Sequence, residues 1–481
     1  MQPIVNALLC ATAAIALPAQ TFTTLHSFDG TDGSEPVAGF VQGADGNLYG
    51  TTEIGGANNT GTIFKITPSG TLTTLYGFGT CFPCVYGANP TAGLVQASNG
   101  DFYGTTSQGG TNGDDGTIFK ITAGGTLTTL YNFCSQTGCI DGENPVAGLV
   151  QAATNGDFFG TTQTGGAGHN GTVFKITPSG TLTTLYSFCF QGEQTCTDGY
   201  FPVAGLVQAT NGDFYGTNDS GGVGRGGTIF KITANGPLTT LYSFCSQTEC
   251  SDGAEPLAGL VQATNGDFYG TTSRGGAEDG GTVFKITLSG TLTTLYSFCS
   301  KSACADGWNP IAGLVQATDG DFYGTTTRGG ANNGGTVFKI TPSGALTTIY
   351  SFCSQSTPDQ CADGAYPEAG LIQATNGDFY GTTWGGGSNG NYGTVFSLSV
   401  GLGPFVKALP HSGTVGEVIR ILGTDLTGTA SVNFNGTPAA FTVVIPTEIT
   451  ATVPAGATTG KIQVTTPGGA LFSSGPFLVL Q

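Results

Sequence analysis

The chain has 481 residues, 82 of them glycine, with only 9% charged and a formal net charge of −18. Ordinary globular domains are about 25% charged, and so acidic a chain with 13 Lys and Arg cannot neutralise a nucleic-acid backbone, which needs those cations to displace counterions. Past the N-terminus no apolar run approaches the ~18 residues of a membrane span. Nucleic acid and membrane spanning are therefore excluded.

Residues 1–19 are small and apolar and read as a leader ending near Leu17-Pro18-Ala19. They lack the usual positive n-region, because no Lys or Arg precedes Lys65. Next comes Thr21-Phe-Thr-Thr-Leu-His-Ser-Phe28, and then one phrase repeats to residue 400. Its Tyr/Phe-Gly-Thr core returns at Tyr49, Tyr103, Phe159, Tyr215, Tyr269, Tyr323 and Tyr380, every 54 to 57 residues. A period of that size marks a tandem array.

Each unit predicts four strands. In the third they are Pro145 to Gln151, Gly156 to Thr162, Gly171 to Thr177 and Thr181 to Phe188. All are rich in β-branched and aromatic residues. Asn155-Gly156 and Pro178-Ser179-Gly180 supply tight turns between first and second and between third and fourth. The second and third are joined by a longer glycine-rich loop. Four antiparallel strands without a helix describe a propeller blade. The chain begins on a copy of the fourth strand and ends its last repeat on a copy of the third, Gly393 to Leu398. This predicts a ring of seven blades clasped by its own first strand. A parallel β-helix is the rival, with shorter rungs. In an up-and-down blade the tight turns share one end and the variable loops the other, so a binding surface belongs at the loop end.

Twelve of the 13 cysteines form local couples: Cys81/Cys84, Cys134/Cys139, Cys189/Cys196, Cys245/Cys250, Cys299/Cys304 and Cys353/Cys361. All lie in the link between a fourth strand and the next blade. Couples at a recurring position read as disulfides of an oxidising compartment. With such short loops each contributes about 2 kcal/mol. Metal binding is disfavoured because no histidine or second couple accompanies them. Cys81-Phe-Pro-Cys84 looks like a redox couple, but it occupies the common slot.

After Leu402 the repeat ends. Residues 404–481 predict a small sandwich of short strands, including Gly416 to Gly423, Ala430 to Gly436, Ile449 to Pro454 and Gly460 to Thr466. This segment resembles the IPT/TIG family of immunoglobulin-like modules, on the Gly-Thr-x-Leu at Gly423, Val-x-Phe-Asn-Gly at Val432 to Gly436 and Val-Pro-Ala-Gly at Val453 to Gly456. Residues 21 to 398 resemble the secreted bacterial tandem-repeat family called GloVer, on Asp45-Gly-Asn-Leu-Tyr-Gly-Thr-Thr52 and Gly61 to Gly70. The resemblance implies an extracellular or cell-surface protein and no established activity. A more distant similarity to the streptogramin-lyase propeller brings no site, since nothing here maps onto that lyase's histidine base. The fold expectation is all-β: a seven-bladed propeller over residues 20–400 and an immunoglobulin-like sandwich over 404–481.

Chemistry is sparse. His26 occupies a strand slot filled elsewhere by Tyr, His411 opens the C-terminal module, and His169 is alone in its loop. Neither a metal-ligand cluster nor a cofactor fingerprint is present. The Asp-Gly pairs at Asp32, Asp141, Asp198, Asp252, Asp306 and Asp363 could supply oxygens to Ca²⁺, but turn capping is the simpler reading. Positions where the repeats disagree carry the candidate ligand-binding residues. On the long loops these are Glu53, Asp219, Arg274, Arg328 and Trp384; on the inter-blade links, Tyr200, Trp308 and Tyr366. Aromatics beside polar groups suit a sugar ring or a gripped peptide; neutral drift in exposed loops is the competing reading. The sequence thus favours a secreted or surface-associated binding or adhesion protein taking a glycan or protein partner. An extracellular carbohydrate-active hydrolase or lyase at the channel mouth is the alternative, and a purely structural role the third.

Overall fold

The computed structural model describes residues 20–480 except 80–83, 154, 191–195 and 358–359. The expected leader therefore lies outside the described residues, as does Cys81. Seven four-stranded antiparallel sheets follow one another along the chain, with no α-helix among the described residues. Blade 1 comprises Val41–Gln42, Leu48–Thr52, Thr62–Ile66 and Leu72–Gly77. Blade 7 comprises Ile372–Gln373, Phe379–Thr383 and Thr394–Ser399, completed by Thr21–Ser27 from the other end of the repeat region. That clasp pairs Phe22 with Leu398 and Thr24 with Phe396. The ring is closed as the order of phrases predicts.

Its innermost strands are shorter than expected. The seven-residue phrase of the third unit yields only Val150–Gln151 as ladder. The preceding residues fall outside the ladder, with a bend at Ala147; proline offers no donor there, and the backbone meets the neighbouring blades rather than its own second strand. Gly39, Gly93, Gly148, Gly205, Gly259, Gly313 and Gly370 form an axial ring. A Cβ added to any of them would stand 2.8–3.4 Å from the carbonyl oxygen of the glycine in the preceding blade, and Gly39 meets Gly370 to complete the circle.

Outward from the axis the same side chains tie each blade to the next. The second strand, Phe-Tyr-Gly-Thr-Thr in blade 2, is buried at every position. Its tyrosine packs toward the following blade and its phenylalanine toward the preceding one, so rings meet across each gap: Tyr49 on Phe102 at 4.1 Å, Tyr103 on Phe158 at 4.1 Å, Tyr269 on Phe322 at 4.0 Å. The signature glycine leaves room for its own blade's phenylalanine, since a Cβ on Gly104 would lie 2.6 Å from the Phe119 ring. The first Thr donates to a carbonyl of the next blade in all seven gaps, from Thr51 to Ala92 round to Thr382 with Pro36, at 2.7–3.3 Å. At the turn end, a glutamine accepts from a backbone N–H of the preceding blade in six gaps, at 2.9–3.2 Å. Seven apolar clusters fill the gaps; the closing one joins Phe28, Tyr380 and Val395 of blade 7 to Phe40, Leu48 and Phe64 of blade 1.

Five bridges stand where the sequence placed them: Cys134–Cys139, Cys189–Cys196, Cys245–Cys250, Cys299–Cys304 and Cys353–Cys361. The recurring aspartates serve these links, as the capping reading expected. Asp252, fully buried, accepts from the Tyr242 hydroxyl, the Ser246 N–H and hydroxyl, and the Gln247 N–H. His26 does the tyrosine's work in the clasp, bonding Asp32 at 2.7 Å and meeting Phe28 edge-on.

Beyond Ser399 lies a two-sheet sandwich. One sheet runs Lys407–Leu409, Val418–Leu422, Glu448–Thr452, Phe441–Ile445; the other Thr437–Pro438, Ser431–Phe434, Ile462–Thr466, Gly469–Phe472. Ile419, Ile421, Val432, Phe434 and Phe477 form its core. The module rests on the turn end of the ring. Thr447 Oγ1 donates to the Ala44 carbonyl at 2.7 Å, Phe405 N to Thr375 O at 2.9 Å, and Thr424 and Thr375 share a hydroxyl bond at 3.1 Å.

Gly93→Ala should destabilise the protein by about 1–3 kcal/mol, since an immovable carbonyl lies 2.8 Å from the new methyl, and Gly313→Ala, at 3.4 Å, by clearly less. Urea unfolding of both variants checks this; equal losses would remove the axial-contact argument. Asp252→Ala, with every cysteine retained, should cost about 1–3 kcal/mol because it removes a buried, charged acceptor shared by the Tyr242, Ser246 and Gln247 donors; an unchanged unfolding midpoint would show that the bridges alone hold the link.

Candidate functional site

The loop end of the channel is built from two rings of positions joined by one recurring backbone bond. The residue after each second strand donates its N–H to the carbonyl of the residue before the blade's entry proline: Glu53 to Glu35, Ser107 to Asn89, Gln163 to Asn144, Asp219 to Phe201, Ser273 to Glu255, Thr327 to Asn309 and Trp384 to Tyr366, at 2.9–3.1 Å. The pre-proline residue sits in the left-handed region in every blade, with φ of 53–60°. This posture turns the chain sharply into the channel. Fourteen positions therefore ring this end, and their residue types differ from blade to blade.

The structure gathers the sequence candidates into two patches. On blades 6, 7 and 1 the Tyr366 and Trp384 rings lie 6.3 Å apart, and Glu53 follows on blade 1. Trp308 bridges Arg328 through the backbone, its ring lies 5.9 Å from the guanidinium, and its indole N–H donates to the Asp279 carbonyl. On blades 4 and 5, Tyr200 meets Phe201 edge-on at 4.8 Å, Asp219 stands nearby, and Arg274 pairs with Glu255 at 3.1 Å. Arg274 is thus held by a carboxylate that sequence reading did not single out.

Two further residues escaped that reading. Glu35 shares the mouth with Glu53. Glu368 follows the entry proline of blade 7, two residues before the axial Gly370, at a slot held elsewhere by Val37, Thr91, Val146, Val203, Leu257 and Ile311. One ionisable residue among six apolar or weakly polar ones is a signal visible in aligned repeats. Burial, and then the charges of Glu53 and Glu35, push the Glu368 carboxyl up to about 7, with Arg328 opposing. Burial and Glu35 also raise Glu53. Burial raises Asp219, with Ser220 opposing and Glu255 adding to the rise. The mouth between blades 7 and 1 is therefore an electronegative pocket with a carboxyl that holds its proton near neutral pH.

The opposite end offers a cleft of about 650 Å³ between the module and blades 4 to 6, lined by Val261, Gln262, Gln316, His411 and Pro476. The glutamine amides there already donate to Gly212, Gly266 and Gly320, so few polar groups converge on the cleft.

A family model described as the Gloeobacter/Verrucomicrobia repeat matches residues 13–209, 139–305 and 247–439. The chain belongs to this repeat family. In this member the repeat region is followed by an IPT/TIG domain, matched over residues 405–479. No curated protein matches the chain. Among solved structures, PorZ, an essential surface component of the type-IX secretion system of Porphyromonas gingivalis, is 15% identical with a TM-score of 0.45, over 92% of this chain. The chain spans 59% of the PorZ length. A protein of unknown function from Bacteroides thetaiotaomicron is 12% identical with a TM-score of 0.43, over 79% of this chain and 76% of its own. Neither likeness bears on what this repeat protein binds. No helix among the described residues is long and apolar enough to cross a membrane.

Because folded Glu368 keeps its proton up to about pH 7, whereas the unfolded carboxyl releases it near 4.5, the contribution of Glu368 to stability is present below about pH 4.5 and is lost as pH rises through about 7. Glu368→Gln should leave stability unchanged at about pH 4 and raise it at about pH 8 by about 1–2 kcal/mol, the shift being discounted for the solvent that reaches this half-buried group. Urea unfolding at both pH values checks the sign; a variant less stable at the higher pH would refute the electronegative pocket.

Proposed function

We propose that this repeat protein is an extracellular, non-catalytic binding protein that holds its ligand on the loop end of the propeller. The observation that carries the reading is the division of labour between the two ends. The module rests on the turn end, while the loop end is free and collects the residues that differ between blades. Five disulfides in the links support an oxidising, extracellular setting. Each closes a short loop, which restricts the chain beside the loop end and lowers the entropy cost of binding there. The aromatic pair Tyr366 and Trp384 and the Trp308 with its arginine supply contact area at the mouth.

One observation favours a second reading. Glycoside hydrolysis uses a protonated carboxyl facing an ionised one. Glu368, raised to about 7, stands within the field of Glu53 and Glu35. In that reading Glu368 donates the proton to the leaving oxygen and Glu53 is the partner carboxylate.

The two readings separate in one set of assays. A screen of polysaccharides and extracellular proteins should retain a ligand that Trp384→Ala or Trp308→Ala weakens by about tenfold, the usual loss at a central aromatic anchor. No retained ligand, or unchanged retention in both variants, ends the binding proposal. Release of reducing ends from any retained polysaccharide, lost in Glu368→Gln, would replace it with the hydrolase.

A further inference from the structure

The net charge of −18 is not spread over the molecule. Among the described residues, the inter-blade links and long loops carry eighteen carboxylates and four cations, Arg225, Arg274, Lys301 and Arg328. The turn end balances eight aspartates with six lysines, which stand on third strands beside the turn carboxylates: Lys120 is 3.8 Å from Asp101, Lys285 is 3.7 Å from Asp267, and Lys339 reaches both Asp319 and Asp321. The sandwich holds three of each sign. Nearly all of the excess negative charge therefore faces one way. Two of the four loop-end cations are already engaged, Arg274 by Glu255 and Arg328 by the Trp308 ring.

Within the propeller, exposed apolar residues show the same polarity, while the sandwich exposes Val415, Val418, Val444, Ile445 and Phe472 of its own. Tyr86, Ile140, Phe190, Val223, Trp308 and Tyr392 are the propeller's exposed large hydrophobics at the loop end, and Leu288 is its single counterpart at the turn end among the described residues. They stand on blades all around the rim rather than along one groove, and two are aliphatic. A sugar chain wants aromatic platforms in line, whereas a protein surface matches a scattered rim of apolar contacts around a charged centre.

We infer that the loop end docks a lysine- and arginine-rich segment of another protein, placing one cationic side chain in the channel mouth among Glu35, Glu53 and Glu368 while apolar residues of the partner meet the rim. This rests on the binding reading above and names the partner's chemistry. The three carboxylates lie within one another's field, with the Glu53 N–H bonded to the Glu35 carbonyl, so a cation entering there relieves their repulsion. Arg328, on the neighbouring blade 6 and already stacked on Trp308, is the one cation that opposes this field on Glu368. The one-sided field also steers a cationic partner to this end during encounter, and it is sensitive to salt.

The test uses the full chain and a fluorescent peptide of about a dozen residues that combines Lys, Arg and Leu, with an acidic peptide and a chitosan oligomer beside it. The basic peptide should bind, and its affinity should fall steeply between about 0.05 and 0.5 M salt as screening shortens the field. The isosteric triple variant Glu35→Gln, Glu53→Gln, Glu368→Gln should weaken it by about tenfold or more, and Glu53→Gln alone by a smaller amount, as removing charges at a contact does. A rim triple, Glu143→Gln, Glu249→Gln, Glu278→Gln, removes three carboxylates away from the mouth and, with both triples compared at about pH 8 so that Glu368 is ionised too, should cost less than about threefold. Equal losses in the two triples would mean a diffuse field without a docking mouth and would overturn the inference. So would chitosan binding without peptide binding, although that result keeps the loop end as a ligand surface. Basic-peptide binding unaffected by either triple or by Trp308→Ala would overturn both the inference and the reading beneath it. Thermal unfolding of each variant guards against a folding defect, and Glu53→Gln remains decisive if the triple does not fold.

Discussion

Backbone-to-backbone contact at the axis is the constraint from which the rest follows. Seven glycines stand so close to their neighbours' carbonyls that an added methyl would be tighter than ordinary contact at each, and at Gly93 would need the backbone to shift. Once blades approach that tightly, every gap has one width, and one set of side chains must fill it. This is why tyrosine, phenylalanine and threonine recur along the second strands, with Leu48, Phe159 and Asn218 as the departures, and why the fully buried residues are the ones that scarcely vary. Near identity of the repeats is a packing consequence. It says nothing about chemistry.

Blade 1 departs most from the pattern, and its departures coincide with the module. Leu48 stands where other blades have phenylalanine, so Tyr380 packs on an aliphatic side chain and the aromatic stack is absent from the closing gap. Gln96, which in the common pattern would clasp blade 1, has a buried oxygen without a partner. Beside it the Ala44 carbonyl receives the module's Thr447 and a Cβ on Gly46 would meet the same threonine. The module thus rests beside the one inter-blade gap of the seven that lacks the glutamine bond, and adds there a bond to the Ala44 carbonyl.

Much of the architecture was legible because it rests on local, repeated signals. Turn residues and β-branched strands marked four strands per unit, and the phrases at the two ends of the repeat region announced the clasp. The link cysteines and the capping aspartates were readable for the same reason: each recurs at a fixed distance from a strand. The mouth was only partly legible. Trp384, Trp308, Tyr366 and Glu53 stood out as places where repeats disagree, and the fold brings them to the same end. Glu35 and Glu368 did not stand out, because their meaning depends on facing one another across the gap between the first and last blades, which lie some three hundred residues apart in sequence. The inner strands were overestimated because an apolar phrase looks the same whether it bonds its own sheet or meets the neighbouring blades.

By itself the amino-acid order determined the strand pattern, the number of blades, the direction of closure and the placing of the bridges, since all of these depend on contacts within a repeat or on counting repeats. Only the folded ring decided which carboxylates share a pocket, which arginines are already engaged, and that the module rests on the turn end. Those outcomes depend on distances around a circle and between two domains. Such distances have no counterpart in linear spacing, so electrostatics that look diffuse along the chain become one-sided only when it closes.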